Sequence, residues 1–256
     1  MPGLLDGKIA LVTGAGSGIG EATAIAMAEA GARIVTIDIN IGAAVRTAKA
    51  AGESAVGFTC DVTDRAACDA LAAKVREEIG PIAVLVNNAG IIRRAAAVDF
   101  SEADWNEVLR VNLTAPFFLS QAVARWWLTQ GRAASPGNSR LKIVNVASLL
   151  SFQGGITVPA YAASKHGIVG VTKALANEWA RERINVNAIA PGYIATENTR
   201  ALREDAARNQ AIQDRIPEGR WGTPEDVAGG CVFLASPGAD YLNGVVLNID
   251  GGWLAR

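Results

Sequence analysis

The chain has 256 residues, half of them hydrophobic, with 24 basic and 25 acidic side chains and a net charge of −1. That length suits one large α/β unit with a sizeable core, and the balanced charge argues against nucleic acid or an anionic membrane as the main partner. Three cysteines (Cys60, Cys68, Cys231) and the single His166 fit neither a metal site nor a disulfide framework, no apolar run approaches a membrane span, and the start MPGLLDGK does not read as a signal peptide, so a cytoplasmic protein with reduced thiols is expected.

Taken in order, residues 8–13 (KIALVT) form a short apolar run that breaks at Gly14, which predicts a buried strand. An alanine-rich helical stretch follows over 19–30 and stops at Gly31. A second buried strand (33–38, RIVTID), a helix (41–51), a third strand (54–60) and an amphipathic helix (64–79) come next, the last ended by Gly80-Pro81. Residues 83–86 predict a fourth strand running into Asn87-Asn88-Ala89-Gly90.

Ser101, with Asp104 three residues later, predicts a capping box opening a helix to about 128, kinked before Pro116. The segment 131–140 (GRAASPGNSR) is polar and turn-rich, hence a surface loop. A fifth strand (142–146), a helix carrying Tyr161 to about 180, and a sixth strand (184–189) ending at Pro191-Gly192 follow. Thr223-Pro224-Glu225-Asp226 caps a further helix, and 245–249 is a seventh strand. Continuous apolar strands alternating with amphipathic helices predict one doubly wound α/β domain over 1–256, a seven-stranded parallel sheet with helices on both faces.

Gly14, Gly18 and Gly20 fall where the first strand turns into the first helix. Glycine there permits positive φ and close approach of a pyrophosphate, while the helix N-terminus offers free N–H groups. The glycine spacing is three residues then one, unlike the usual dinucleotide fingerprint, but its place after a buried strand favours phosphate binding. Asp38 ends the second strand, where an acidic residue binds the ribose 2′-hydroxyl of NAD and repels the 2′-phosphate of NADP. Ser17 and Ile39, the positions from which a basic residue would receive that phosphate, are uncharged, so NAD is expected. Asp61 and Val62 are placed to meet the adenine, and Asn88, Ala89 and Gly90 to flank the cofactor.

Tyr161 and Lys165 stand four apart on a helix and so share a face. An ammonium beside a phenol favours the phenolate, which predicts a tyrosine pKa below its ordinary value of about 10 and a usable general acid or base.

Together TGAGSGIG (13–20), NNAG (87–90), Asn112, Ser148, YAASK (161–165) and PG (191–192) resemble the short-chain dehydrogenase/reductase family over essentially the whole chain. The resemblance implies a Rossmann-type domain in which Tyr161 exchanges a proton with the substrate oxygen. Lys165 would lower the tyrosine pKa and bind the nicotinamide ribose, Ser148 would hydrogen-bond the reacting oxygen, and Asn112 would hold a water relaying protons to Lys165. Ser17, Ile19, Pro191, Gly192, Ile194 and Thr196 would complete the cofactor contacts, residues 193–217 would form a substrate lid, and the assembly would be a homotetramer. Trp126, Trp127 and Trp179 would lie on helices that pair between subunits, with Trp253 in a tail packing across the tetramer.

Within the family, IIRR (91–94), SFQGG (151–155), GRWG (219–222) and DGGWLAR (250–256) are similar to members that oxidise a secondary hydroxyl of an acidic sugar with NAD. Such a substrate needs a cation for its carboxylate; Arg93 and Arg94 are the candidates, against solvated loop arginines. Gln153 is a further candidate for sugar hydroxyls, against a plain loop residue. A neutral polyol or a 3-hydroxyacyl group is the alternative substrate, and a catalytically silent NAD-binding relative the alternative of another class.

Overall fold

A computed structural model describes residues 3–134 and 139–256. It contains β1 (Ile9–Thr13), α1 (Gly18–Glu29), β2 (Arg33–Asp38), α2 (Ile41–Ala51), β3 (Val56–Thr59), α3 (Arg65–Glu78) and β4 (Ile82–Asn87). Then come α4 (Glu102–Leu109), α5 (Ala115–Trp126), α6 (Arg132–Ala134), β5 (Leu141–Val146), α7 (Pro159–Trp179) and β6 (Ile184–Pro191). The chain closes with α8 (Arg200–Glu204), α9 (Ala206–Arg215), α10 (Pro224–Ala235) and β7 (Val246–Ile249).

All seven strands pair in parallel in the order β3-β2-β1-β4-β5-β6-β7. The inner strands β1, β5 and β6 are buried at every position, with polar side chains enclosed on β5 (Lys142, Asn145) and β6 (Asn185, Asn187), whereas the edge strands β3 and β7 are only partly covered. One face carries a core built from α3, α5 and α7 with Leu11, Leu85, Leu119, Ile143 and Trp179. The other packs α1 and α10 through Ala24, Met27, Val227, Cys231 and Leu234. Strand order reverses between β1 and β4, and the loops at their C-terminal ends open the crevice where such sheets bind ligands.

The sheet also buries a charge. Lys142 on β5 has a side chain only 1 % exposed, and its Nζ donates to Asp240 Oδ1 at 2.6 Å. Burial pulls this ammonium's pKa down, and the Asp240 carboxylate pulls it back up.

The helix expected over 101–128 is interrupted. A π-helical turn occupies Arg110–Thr114, and Pro116 sits in the first turn of α5, where its missing N–H costs nothing. The interruption lies before the proline, as expected, and within it Asn112 turns inward and bonds the backbone of Ile91 at both ends of its amide, each at 2.9 Å. The capping box at Ser101 is half made. Ser101 Oγ accepts from Asp104 N at 3.0 Å, but Asp104 Oδ2 takes the serine hydroxyl instead of the Ser101 N–H, and its Oδ1 faces Arg93. In the segment expected to loop over 131–140, residues 132–134 form a helical turn and 135–138 lie outside the described residues.

Candidate active site

A cleft of about 620 Å³ opens over the C-terminal ends of β1 to β5. Its floor is the turn from β1 into α1. Gly14 and Gly18 both have positive φ (60° and 57°), and a Cβ on Gly14 would stand 2.7 Å from Ala89 Cα. Ser17 is extended at the α1 N-cap and its side chain makes no cap bond, so the first N–H groups of α1 face the cleft with the helix's positive end. Asn88 holds this turn in place: its Nδ2 donates to Thr13 O at 3.0 Å and Gly14 O at 2.9 Å, while its own N–H and that of Ala89 donate to Thr13 Oγ1.

The rim carries the groups a nucleotide needs. Asp38 is fixed by two backbone donors, Gly16 N on Oδ2 and Asn40 N on Oδ1, both at 2.9 Å. Those bonds leave further lone pairs for ribose hydroxyls. Asp61 Oδ1 accepts from both the N–H and the hydroxyl of Thr63 at 2.8 Å, which turns Val62 to the cleft. A glycine cradle, a free helix N-terminus and a fixed carboxylate at the second strand fit a nicotinamide dinucleotide.

Of the residues expected to touch that cofactor, Gly14, Ser17, Gly18, Ile19, Asp38, Asp61, Val62, Asn88, Ala89, Gly90, Tyr161, Lys165 and Thr196 line the cleft. Four do not. Gly20 packs behind the turn against the Gly14 carbonyl, and Gly192 is packed against Asp250 where β6 ends at Pro191. Ile194 is 5 % exposed, its side chain in the core and its backbone bridged to Gly222. Cys60, Glu107, Arg110 and Asn198 also line the cleft, and no motif in the sequence marks them as site residues. Cys60 has its Sγ 3.9 Å from that of Cys68, so two of the three free thiols adjoin, a proximity their eight-residue spacing did not announce.

Tyr161 and Lys165 share one wall, as α7 dictates. The expectation for their chemistry needs correction. The Tyr161 phenol is held above its ordinary value, chiefly by burial, with the Ser148 hydroxyl and the Arg94 guanidinium pulling it down. Lys165 does not set that value. Its Nζ lies 5.5 Å from the tyrosine ring centroid and donates to Val146 O at 2.6 Å, and burial brings its own pKa down to about 8. An ammonium that is itself so easily discharged is a weak lever on a neighbour.

Ser148 caps the helical turn Leu149–Ser151, with its Oγ accepting from Leu150 N at 3.2 Å. Asn112 is 2 % exposed, and its amide is engaged by Ile91 and by Ser164 Oγ at 3.2 Å. A relay water on this side chain would have only the second lone pair of Oδ1. Asn112 is visibly a brace between α4–α5, the loop after β4, and α7.

The two arginines part company. Arg93 spends its fork on Glu107, Nε to Oε2 at 2.9 Å and Nη2 to Oε1 at 3.0 Å, with Asp104 a further 3.6 Å contact. Its charge is already matched by these carboxylates, which weakens its pull on a substrate carboxylate. Arg94 is exposed and acts electrostatically on Tyr161. Gln153 is half-buried, and Trp253 Nε1 donates to its Oε1 at 3.3 Å across 100 residues of sequence. An indole N–H can only donate, so the Gln153 amide is turned with its NH₂ outward as a donor. Trp253, expected to pack across subunits, is 4 % exposed within its own chain and clusters with Tyr193 and Trp221. His166 points away, with Nδ1 2.9 Å from Ala162 O. The expected lid contains a short helical turn (Glu197–Thr199) with α8 and α9, and Glu197 and Asn198 reach the cleft. Among the described residues no helix is long and apolar enough to cross a membrane.

The family model described as enoyl-(acyl carrier protein) reductase matches residues 14–254. A 2-dehydro-3-deoxy-D-gluconate 5-dehydrogenase from Dickeya dadantii (strain 3937) is 49 % identical over 253 residues, covering 98 % of this chain and 97 % of its own length. A solved structure from Agrobacterium tumefaciens, described as a 2-deoxy-D-gluconate 3-dehydrogenase with bound NADP, is 53 % identical with a TM-score of 0.89, covering 98 % of each chain. A gluconate 5-dehydrogenase from Burkholderia cenocepacia J2315, in complex with NADP and tartrate, is 40 % identical with a TM-score of 0.91, covering 98 % of this chain and 97 % of its own.

Proposed function

The chain belongs to the short-chain dehydrogenase/reductase family, and from that premise we propose that it interconverts a secondary alcohol and a ketone on a sugar acid of the 2-dehydro-3-deoxy-D-gluconate type, with NAD preferred over NADP. The observation that carries the reading is the placement of Tyr161 in the cleft wall beside the Ser148 hydroxyl, with Arg94 close enough to act on the phenol and the dinucleotide cradle at the other end of the same cleft.

A bound nicotinamide dinucleotide supplies the hydride chemistry; this chain supplies position and the proton. In ketone reduction Tyr161 donates its proton to the developing alkoxide while Ser148 holds the same oxygen. In alcohol oxidation the proton runs back to a Tyr161 phenolate. A phenol held above its ordinary value is ready as an acid at neutral pH, so reduction is favoured there and oxidation quickens as pH rises. Arg94 supports the substrate class, because a guanidinium that pairs with no carboxylate among the described residues and acts on the Tyr161 phenol suits a carboxylate a few carbons along the substrate chain. Asp38 supports NAD, since its fixed carboxylate favours ribose hydroxyls over a phosphate. Family likeness supports a homotetramer.

The test is absorbance at 340 nm with each dinucleotide against 2-dehydro-3-deoxygluconate, gluconate, a neutral polyol and a 3-hydroxyacyl ester, with Tyr161→Phe as control. Strong turnover on the deoxy sugar acid, lost in the variant, supports the reading. Preference for the neutral alcohols would overturn the sugar-acid assignment and leave the family chemistry standing.

A further inference from the structure

Asp38 does not stand alone at the ribose end of the cleft. Arg46, on the second turn of α2, places Nη2 2.8 Å from Gly16 O, and the N–H of the same glycine donates to Asp38 Oδ2 at 2.9 Å. One residue therefore joins the guanidinium to the carboxylate, its carbonyl on one side and its amide on the other. The approach is tight: a Cβ on Gly16 would stand 2.7 Å from both Asp38 Oδ2 and Ala43 Cβ. Among the described residues no carboxylate pairs with Arg46; its one hydrogen bond is to Gly16, and the side chain is exposed. Its remaining donors face no fixed partner.

This matters because Ser17 and Ile39, beside the cradle and the strand end, carry no charge, so nothing local receives a 2′-phosphate. Asp38 cannot swing aside to make room, being held by backbone donors on both oxygens. Yet both solved relatives named above carry NADP. A guanidinium anchored on the glycine turn next to Asp38, with donors to spare, is the cation such a phosphate would meet.

Resting on the dinucleotide reading above, we propose that Arg46 is the 2′-phosphate receptor of this chain, and that Asp38 and Arg46 together make it a dual-cofactor protein, with Asp38 favouring NAD and Arg46 keeping NADP in range. The position is hidden from the sequence because it comes from the helix after the strand, seven residues beyond Ile39.

The experiment measures dissociation constants for NADH and NADPH by nicotinamide fluorescence, without substrate, in the wild type, Arg46→Ala and Arg46→Gln. Glutamine keeps a donor for Gly16 O and removes the charge. A charge-assisted contact is worth about tenfold to a hundredfold in affinity, so both variants should weaken NADPH by about that factor. NADH should weaken by no more than about threefold, the cost of an exposed hydrogen bond. Parallel losses for the two dinucleotides, or wild-type NADPH affinity in Arg46→Gln, would overturn the proposal by showing that Arg46 acts only by bracing Gly16. Wild-type binding of NADH with none of NADPH would overturn it as well. Binding of neither would overturn the dinucleotide reading and this inference together.

Discussion

The Arg93 guanidinium grips both carboxylate oxygens of Glu107, 14 residues further along, at 2.9 and 3.0 Å. The grip ties the loop after β4 to α4, while the proposed substrate cation is the next residue, Arg94, which forms no ion pair among the described residues. Arg94→Ala should therefore raise KM for an acidic substrate by about tenfold to a hundredfold, the worth of a charge-assisted hydrogen bond, with little change for a neutral alcohol. It should also shift the tyrosine-dependent limb of the pH–rate profile for oxidation upward, since Arg94 pulls the phenol down. Arg93→Ala should affect both substrates alike, and as a largely exposed pair its loss should cost no more than about 1 kcal/mol of stability. Equal behaviour of the two variants in the KM series would remove Arg94 from the substrate site.

Lys165 links the site to the stability of the protein without cofactor. Its pKa falls from 10.5 to about 8 in the folded chain, so between those values the unfolded chain binds more protons. Stability then rises with pH across that window, by up to roughly 3 kcal/mol for a shift of this size. Thermal melts from pH 7.5 to 10 should show the wild type gaining on Lys165→Met as pH rises. A constant gap between the two would mean that the buried amine is not perturbed.

Trp253 holds Gln153, the residue proposed to meet sugar hydroxyls. Trp253→Phe removes the indole N–H and frees the Gln153 amide, so it should raise KM for the sugar acid with the dinucleotide affinity little changed. Trp253→Ala additionally empties the aromatic cluster with Tyr193 and Trp221 and should cost about 3–5 kcal/mol, read from denaturant titration. If Trp253→Phe leaves KM untouched, Gln153 is not a substrate contact.

At the far end of the sheet, Asp240→Ala should be more damaging than an ordinary surface change. It strands Lys142, whose side chain is 1 % exposed; because Asp240 is itself 41 % exposed, the cost should fall below the roughly 3–5 kcal/mol of breaking a fully buried pair from one side. Lys142→Met, which removes the charge itself, should be milder. The reverse ranking in melting temperature would show that Lys142 reaches water after all.

Much of this was legible in advance because it depends on neighbours in sequence. Continuous apolar runs gave away the central strands, and Asp38 and the Tyr161–Lys165 pair follow from a strand end and one helical turn. What escaped depends on partners brought together by the fold. No local pattern says which of two adjacent arginines will find Glu107, that Trp253 will reach Gln153, or that the kink before Pro116 will be a π turn braced by Asn112. The tyrosine pKa was misjudged for a related reason. Sequence shows that a lysine is near, but not that burial weakens its charge and a carbonyl at Val146 claims its donors.

The clamp of Asn88 on Thr13 and Gly14 has a mechanical meaning. It stitches the ends of β1 and β4 at the one place where the sheet changes direction, between strands buried on both faces. The glycine turn cannot peel away by itself; to open, it must take the centre of the sheet with it. Its bonded amides, those of Ala15 and Gly16, should exchange with solvent deuterium only through global unfolding, while those of α8 and α9, which pack one small apolar cluster, exchange through local openings. The nucleotide end of the cleft is thus braced by the centre of the sheet, whereas α8 and α9 rest on a cluster outside it.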